Sequence, residues 1–295
     1  MRLSILGFGL IGGSIARALH ERGEPGAWHV TAWSRNLAPV ERAVADGAVH
    51  VAAATPQAAV QNAEMVLLAA PPLVCLELID LLGGSLHGAL AEDCTITDVA
   101  SAKGLIVARA DEACLPFIGG HPMAGRESSG YGAAQPDLFV ERPWVTVLGR
   151  YARLCDGERI GELIEACGAF QVPMHAAAHD NAVAAISHLP LVVSAALVEA
   201  IAGGPDEPER EDWRAVEVLA ATGWSGMTRL ALGEPAMVAG IAATNAVALA
   251  ARLHCMRDVL DRWLAELELE GGPDDAALLA RFGSARRRLL EVDRQ

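Results

Sequence analysis

The chain has no cysteine pair at redox or metal-ligand spacing. Its six cysteines, Cys75, Cys94, Cys114, Cys155, Cys167 and Cys255, are scattered, with no C-x-x-C and no Cys/His cluster of zinc-site spacing. A bound metal is therefore not expected. Each lies in or near an apolar segment, which reads as mostly buried, inert thiols in a reducing cytoplasm. Positive charge is also scarce, with 23 Lys and Arg against 37 Asp and Glu, a net of −14. Such a balance argues against a nucleic-acid or anionic-membrane surface. It leaves room for a small anionic ligand held by a few local arginines. Repeats and low-complexity tracts are missing. Met1-Arg2 precedes an apolar run without an A-x-A-like cleavage site, so a signal peptide is not expected.

What is present is 295 residues, 52% hydrophobic, with 29 glycines. That length allows two domains, each with its own core. The first stretch sets the organisation. Leu3 to Leu6 reads as a buried parallel strand, and Ile11, Ile15, Ala16 and Leu19 mark an apolar-periodic helix. Between them stands Gly7-x-Gly9-x-x-Gly12, where a dinucleotide-binding turn must be. Gly7 permits the tight turn, Gly9 lets the backbone approach a pyrophosphate, and Gly12 lets helix and strand pack closely. Leu10 and Ile11 open the helix whose free N–H groups face the phosphates.

The second strand, 29–33, ends in Ser34-Arg35-Asn36. An NAD-binding fold usually places Asp or Glu here, roughly 20 residues past the glycines, to hold the ribose 2′-hydroxyl. Ser34 and Arg35 suit a 2′-phosphate instead and point to NADP. NAD stays open through the reading in which Arg35 stacks on adenine. Further strands are expected at 64–69, 94–99, 117–120, 144–148 and 169–174, with a short extended piece at 48–52. Ala70 and Pro71 close the third long strand in the cofactor crevice. Strands alternating with helices predict a Rossmann-type, doubly wound, mostly parallel sheet over residues 1–174. No strand pattern recurs over 175–295, where helices are expected at 180–201, 212–222, 234–267 and from Asp274 onward. Residues 203–208 and 271–274 are breaker-rich loops. The segment 182–202 is apolar enough to span a bilayer, and is read as a buried helix at a subunit interface.

Three strand ends converge on one crevice: the glycine turn, the Ser101 loop and the His121 loop. His121 stands between Gly120 and Pro122, on a loop, where an imidazole can accept a proton. Ser101 and Lys103 are candidates to orient it or the cofactor. A turn histidine bonded only to backbone is the plainer alternative.

The motifs Gly7-x-Gly9-x-x-Gly12-Gly13-Ser14, Asp98-Val-Ala-Ser101-Ala-Lys103-Gly104, Gly119-Gly-His121-Pro-Met-Ala-Gly125 and Ile186-Ser-His188-Leu-Pro190 occur in that order. This set resembles the prephenate/arogenate dehydrogenases of tyrosine biosynthesis, over nearly the whole chain. The resemblance implies an oxidative decarboxylation of a cyclohexadienol with hydride transfer to NAD(P)⁺. It implies that His121 takes or polarises the hydroxyl proton, and that Ser101 positions that histidine and the nicotinamide. It also implies that His188 lines the substrate pocket, with His179 near it, and that Arg229 of Thr228-Arg229-Leu230 pairs with a substrate carboxylate. A bidentate guanidinium is what a dianion needs in so acidic a protein.

The chain departs from the family pattern at Ser225-Gly226, where an Arg-Asp pair is common, and at Leu191, where many members carry a second histidine. An appended regulatory domain is not expected at this length, and tyrosine feedback, if present, would then act at the active site. Two other readings stand beside this one. A β-hydroxyacid or imine reductase would carry a lysine or aspartate donor on the first interdomain helix, and no lysine occurs from Val172 to Glu209. A non-catalytic NAD(P)-sensing protein would have no need of His121, Ser101, His188 and Arg229 together. Dimerisation through the helical region is expected from the apolar segments 182–202 and 235–253.

Overall fold

The computed structural model describes residues 1–126, 128–205 and 211–292. Its first strands and helices are β1 (Arg2–Leu6), α1 (Leu10–Glu21), β2 (His29–Trp33), α2 (Ala38–Ala45), β3 (Val51–Ala52) and α3 (Pro56–Val60). They continue as β4 (Met65–Leu68), α4 (Pro72–Gly83), β5 (Thr95–Asp98), α5 (Gly104–Glu112) and β6 (Phe117–Pro122). β7 (Pro143–Leu148), α6 (Leu154–Ala166) and β8 (Phe170–Pro173) complete one eight-stranded sheet, ordered β3-β2-β1-β4-β5-β6-β7-β8. Every pairing is parallel except β6 with β7.

Both faces of the sheet are covered, which explains the unbroken apolar runs. Leu3, Ile5, Met65 and Leu67 pack on one side with Ile15 and Leu19 of α1. Leu6, Val66 and Leu68 pack on the other with Leu78 and Ile79 of α4 and Ile106 of α5. Pro72 opens α4 as its first residue, a position where its missing N–H costs nothing. Because β1, β4, β5 and β6 are adjacent and parallel, their carboxyl ends bring Gly7, Ala70, Ser101 and His121 to one edge.

Two compact units are seen, Met1–Leu249 and Ala250–Gln295. After β8 the chain is helical, as expected, but its breaks fall elsewhere. The helix placed at 180–201 begins earlier, as α7 (Ala176–Val183), widens into a π-helical turn at Ala184–His188, and continues as α8 (Leu189–Ala202). Pro190 has no N–H to offer the preceding turn, and the Leu189 N–H reaches back to the Ala184 carbonyl. The helix placed at 212–222 stops early: α9 (Glu211–Val216) gives way to a 3-10 turn at Glu217–Leu219. The polar stretch 222–229 is not an open break. It forms α10 (Thr222–Thr228), followed by a 3-10 turn at Arg229–Leu232. Of the 203–208 loop, residues 206–208 lie outside the described residues.

The helix expected at 234–267 is two helices, α11 (Pro235–Thr244) and α12 (Ala246–Leu267), bent by 92° about Asn245. The last helix is α13 (Asp275–Val292). In the second unit Trp263 of α12 stacks on Phe282 of α13, and Arg281 lies 3.8 Å over the same indole.

Burial bears on two expectations. The apolar helix at 182–202 is not buried within the chain: only 17% of the most apolar part of Ala176–Ala202 is covered, and Ser194 alone is fully buried in α8. Among the described residues most of its apolar surface is left uncovered. Among the cysteines, Cys75, Cys94 and Cys167 are buried, and burial pushes each thiol up to about 12. Cys155 is half-buried, while Cys114 and Cys255 are exposed.

Candidate active site

The glycine turn is built for a close neighbour. Gly7 has φ +92°, and a Cβ there would lie 2.6 Å from the Ala69 carbonyl oxygen. A Cβ on Gly12 would lie 2.9 Å from the Gly7 carbonyl oxygen, so β1 and α1 pack as closely as the motif implies. Gly9 differs: a Cβ there meets nothing within 4 Å. It also caps α1 with no side-chain hydrogen bond to the first-turn N–H groups. An open glycine before a bare helix N-terminus fits a pyrophosphate. Leu10 and Ile11 open α1, Ser34 and exposed Arg35 follow β2, and Ala70 and Pro71 follow β4 on the same edge.

His121 is not on a loop. β6 runs on through Pro122, and His121 pairs with Val145 of the antiparallel strand β7. The sequence reading stopped the strand at Gly120 because Gly-Gly-His-Pro has low strand propensity. Pairing with β7 overrides that propensity. Gly120 is required for contact: its Cβ would lie 2.5 Å from the Asp98 carbonyl oxygen and 2.9 Å from Trp144 Nε1.

Behind His121 lies a buried ion pair. Lys103, the one lysine in the sequence, is fully buried and its Nζ bonds Asp98 Oδ2. The same ammonium donates to the Gly120 carbonyl at 2.7 Å. Asp98 in turn accepts the N–H groups of Gly120 at 3.0 Å and Ala100 at 2.9 Å. Lys103 thus fixes the strand that carries His121 and the turn that carries Ser101. The Ser101 main chain lies beside the His188 ring.

His121 also heads a chain of three hydrogen-bonded residues. His121 Nδ1 lies 2.9 Å from His179 Nε2, and His179 Nδ1 lies 2.8 Å from Asp180 Oδ1. Asp180 also accepts the N–H groups of Lys103 at 2.7 Å and Gly104 at 2.8 Å, capping α5 from α7. Gly104 makes this possible, since a Cβ there would lie 2.8 Å from Asp180 Oδ2. His188 Nδ1 lies 3.1 Å from Asn245 Nδ2, and that amide also donates to the Asp180 carbonyl at 2.8 Å.

Burial holds the His121 imidazole well below its ordinary range, and the nearby Lys103 ammonium adds to this. Burial likewise lowers His188 to about 4. Both rings are therefore neutral at pH 7. Burial works against the Asp180 carboxylate, but hydrogen bonds from His179, Lys103 and Gly104 outweigh it and keep its pKa low.

The structure thus gathers His121, His179 and His188 with Ser101. Arg229 is exposed at the head of the 3-10 turn, which Ser194 of α8 ties down through the Ala231 N–H at 3.0 Å. Among the described residues no hydrogen bond joins Arg229 to the three histidines. Sequence reasoning missed Asp180 and Asn245 as members of the site. Asp180 was legible only as the neighbour of His179. Asn245 carried one signal, a polar residue inside the apolar run 236–251.

Comparison with known proteins finds relatives over most of the chain. A family model described as the nucleotide-binding domain of prephenate dehydrogenase matches residues 15–169, and one described as its dimerization domain matches 175–280. The prephenate dehydrogenase of Bacillus subtilis (strain 168) is 30% identical over 271 residues, 90% of this chain and 67% of that protein. The crystal structure of Synechocystis arogenate dehydrogenase is 30% identical with a TM-score of 0.75, covering 98% of this chain and 100% of that one. That of the Aquifex aeolicus prephenate dehydrogenase with hydroxyphenyl propionate and NAD⁺ shares the fold, with a TM-score of 0.85 at 23% identity over 99% and 98% of the two chains.

Proposed function

The chain belongs to the prephenate dehydrogenase family, and from that premise we propose that it oxidatively decarboxylates prephenate or arogenate. The observation that carries this reading is His121 at the end of β6, its Nδ1 engaged by His179 and its Nε2 left over for a substrate. A neutral, positioned imidazole is the group that hydroxyl deprotonation needs.

The cyclohexadienol carries a carboxylate at C1 and a hydroxyl at C4. His121 Nε2 accepts the hydroxyl proton as the C4–H bond breaks. Bound nicotinamide would supply the hydride acceptor; loss of CO₂ from C1 aromatises the ring as His121 returns the proton to the C4 oxygen. The products are 4-hydroxyphenylpyruvate from prephenate or tyrosine from arogenate. Ser101 orients the nicotinamide and His121 from the β5 turn. His188 lines the pocket, and Arg229 takes a substrate carboxylate through its planar fork. Gly9 lets the pyrophosphate reach the backbone, Gly7 and Gly12 shape the turn that presents it, and Leu10, Ile11, Ala70 and Pro71 lie on the same edge. His179, read from the sequence as a pocket residue, is assigned here to His121 instead, because its ring is buried between His121 and Asp180.

NADP is the preferred cofactor in this reading, since no carboxylate follows β2 and Arg35 is exposed where a 2′-phosphate would lie. The protein acts as a homodimer: the match to a dimerization-domain model and the uncovered apolar face of α8 support this. Six unpaired cysteines fit a cytoplasmic enzyme. The test is reduced-nicotinamide absorbance in the four pairings of prephenate or arogenate with NAD⁺ or NADP⁺. Turnover in at least one is expected. Silence in all four, with cofactor binding intact, overturns the reading.

A further inference from the structure

Two neutral imidazoles, His121 and His188, belong to this site, and each has one ring nitrogen committed to a protein partner. Which nitrogen carries hydrogen follows by elimination. Asp180 accepts backbone N–H groups on both carboxylate oxygens, so it is ionised and His179 Nδ1 donates to it. The 2.9 Å contact between His179 Nε2 and His121 Nδ1 holds a single hydrogen, and on His121 Nδ1 it leaves that ring its other nitrogen as a base. His121 is left with a lone pair on Nε2.

The second branch starts from the main chain of the same residue. The Asp180 carbonyl accepts one N–H of the Asn245 amide, which fixes that amide's orientation. Its other N–H points at His188 Nδ1. His188 must then carry its hydrogen on Nε2, a buried atom with no hydrogen-bond partner among the described residues. Lys103 and Asp98, the other charges behind His121, are paired with each other.

We propose that Asp180 sets the tautomers of both catalytic-site histidines, making His121 a proton acceptor through His179 and His188 a hydrogen-bond donor through Asn245. Asp180, His179 and Asn245 are positioning residues, and this assignment rests on the reading of His121 as the base. When His121 Nε2 takes the hydroxyl proton, the new charge is shared through Nδ1–H toward His179 and Asp180. The buried His188 Nε2–H stands beside the Ser101 main chain and would donate to a substrate oxygen that reaches it. Because Asp180 also caps α5, the base is set only while α7 is seated on the sheet.

The test begins with protein labelled with ¹⁵N-histidine, with no substrate present, so that it does not depend on which substrate is turned over. Ring nitrogen shifts at pH 7.5 are expected to show Nδ1–H for His121 and Nε2–H for His188. Asn245→Asp, which cannot donate, should convert His188 to Nδ1–H. His179→Leu should lose the His121 Nδ1–H signal and lower kcat about 100-fold, the lower end of what a positioned general base contributes, with KM within about threefold. His179→Gln, which can both accept from His121 and donate to Asp180, should recover at least tenfold of that loss. The proposal is overturned if wild-type His121 carries its hydrogen on Nε2, or if Asn245→Asp leaves the His188 tautomer unchanged. It is also overturned if Gln rescues nothing, which would make His179 a packing residue. Wild-type silence on every cyclohexadienyl substrate with the tautomers as expected would sink the proposed reaction and leave the tautomer assignment standing.

Discussion

Replacing Lys103 by methionine keeps most of the stem and deletes the charge. Both members of the Lys103–Asp98 pair are fully buried, so the change strands a carboxylate in the core. Two backbone N–H groups, from Ala100 and Gly120, still serve that carboxylate. The Gly120 carbonyl loses its ammonium donor. Breaking a buried pair from one side costs about 3–5 kcal/mol, a large part of a total that is typically about 5–15 kcal/mol. At about 2–4 °C per kcal/mol for a unit of this size, Tm should fall by roughly 6–20 °C. The double variant Asp98→Asn with Lys103→Met removes the stranded charge and should recover all but about 1–2 kcal/mol. The assay is urea and thermal denaturation of the three proteins at one protein concentration, because an oligomer's stability depends on it. A loss under about 1 kcal/mol for Lys103→Met would refute the argument. So would a double variant no more stable than the single one. Since Gly120 precedes His121, Lys103→Met should also lower kcat in whatever protein remains folded.

Gly9→Ala should leave the stability of the free protein within about 1 kcal/mol, because its Cβ meets nothing within 4 Å, yet weaken cofactor binding at least tenfold. Gly7→Ala, at φ +92° and 2.6 Å from the Ala69 oxygen, should instead destabilise the fold itself. Calorimetry of both variants with and without cofactor separates the two; equal loss of fold in both would remove the assignment of Gly9 to the pyrophosphate. His188 titrates near 4 when folded against an ordinary 6.5, so the unfolded chain binds the extra proton between those values. Stability should therefore be fully present above pH 6.5 and fall as pH drops toward 4. His188→Asn should lose less than wild type over the same window by urea midpoint, and a flat wild-type profile would contradict this. Arg35→Ala should raise the Kd for NADP⁺ far more than that for NAD⁺, and equal losses would remove the 2′-phosphate argument.

The sheet was legible because its signals are local. Gly7 and Gly12 leave room for backbone and no more, and the apolar runs of β1 and β4 need only be buried on both faces. The glycine turn, Ala70 and Ser101 could be found for the same reason, each following a strand end. What stayed hidden depends on partners distant in the chain. Asp180 reaches Lys103 across 77 positions, and Asn245 reaches Asp180 across 65. Neither pairing leaves a mark on helical periodicity, so α11 and α12 read as one helix and the 92° bend at Asn245 went unseen. His121 was assigned to a loop because β7 lies some twenty residues further on and pairs with it only in the fold. The apolar face of α8 was read as a subunit-interface helix from its composition, and among the described residues little of it is covered.

The most direct test of the account is stoichiometric. Purified protein, with its preferred cyclohexadienyl substrate and cofactor, should release one CO₂ for each nicotinamide reduced, and His121→Asn should abolish both while still binding the cofactor. Nicotinamide reduction without CO₂, or full activity in His121→Asn, would contradict it.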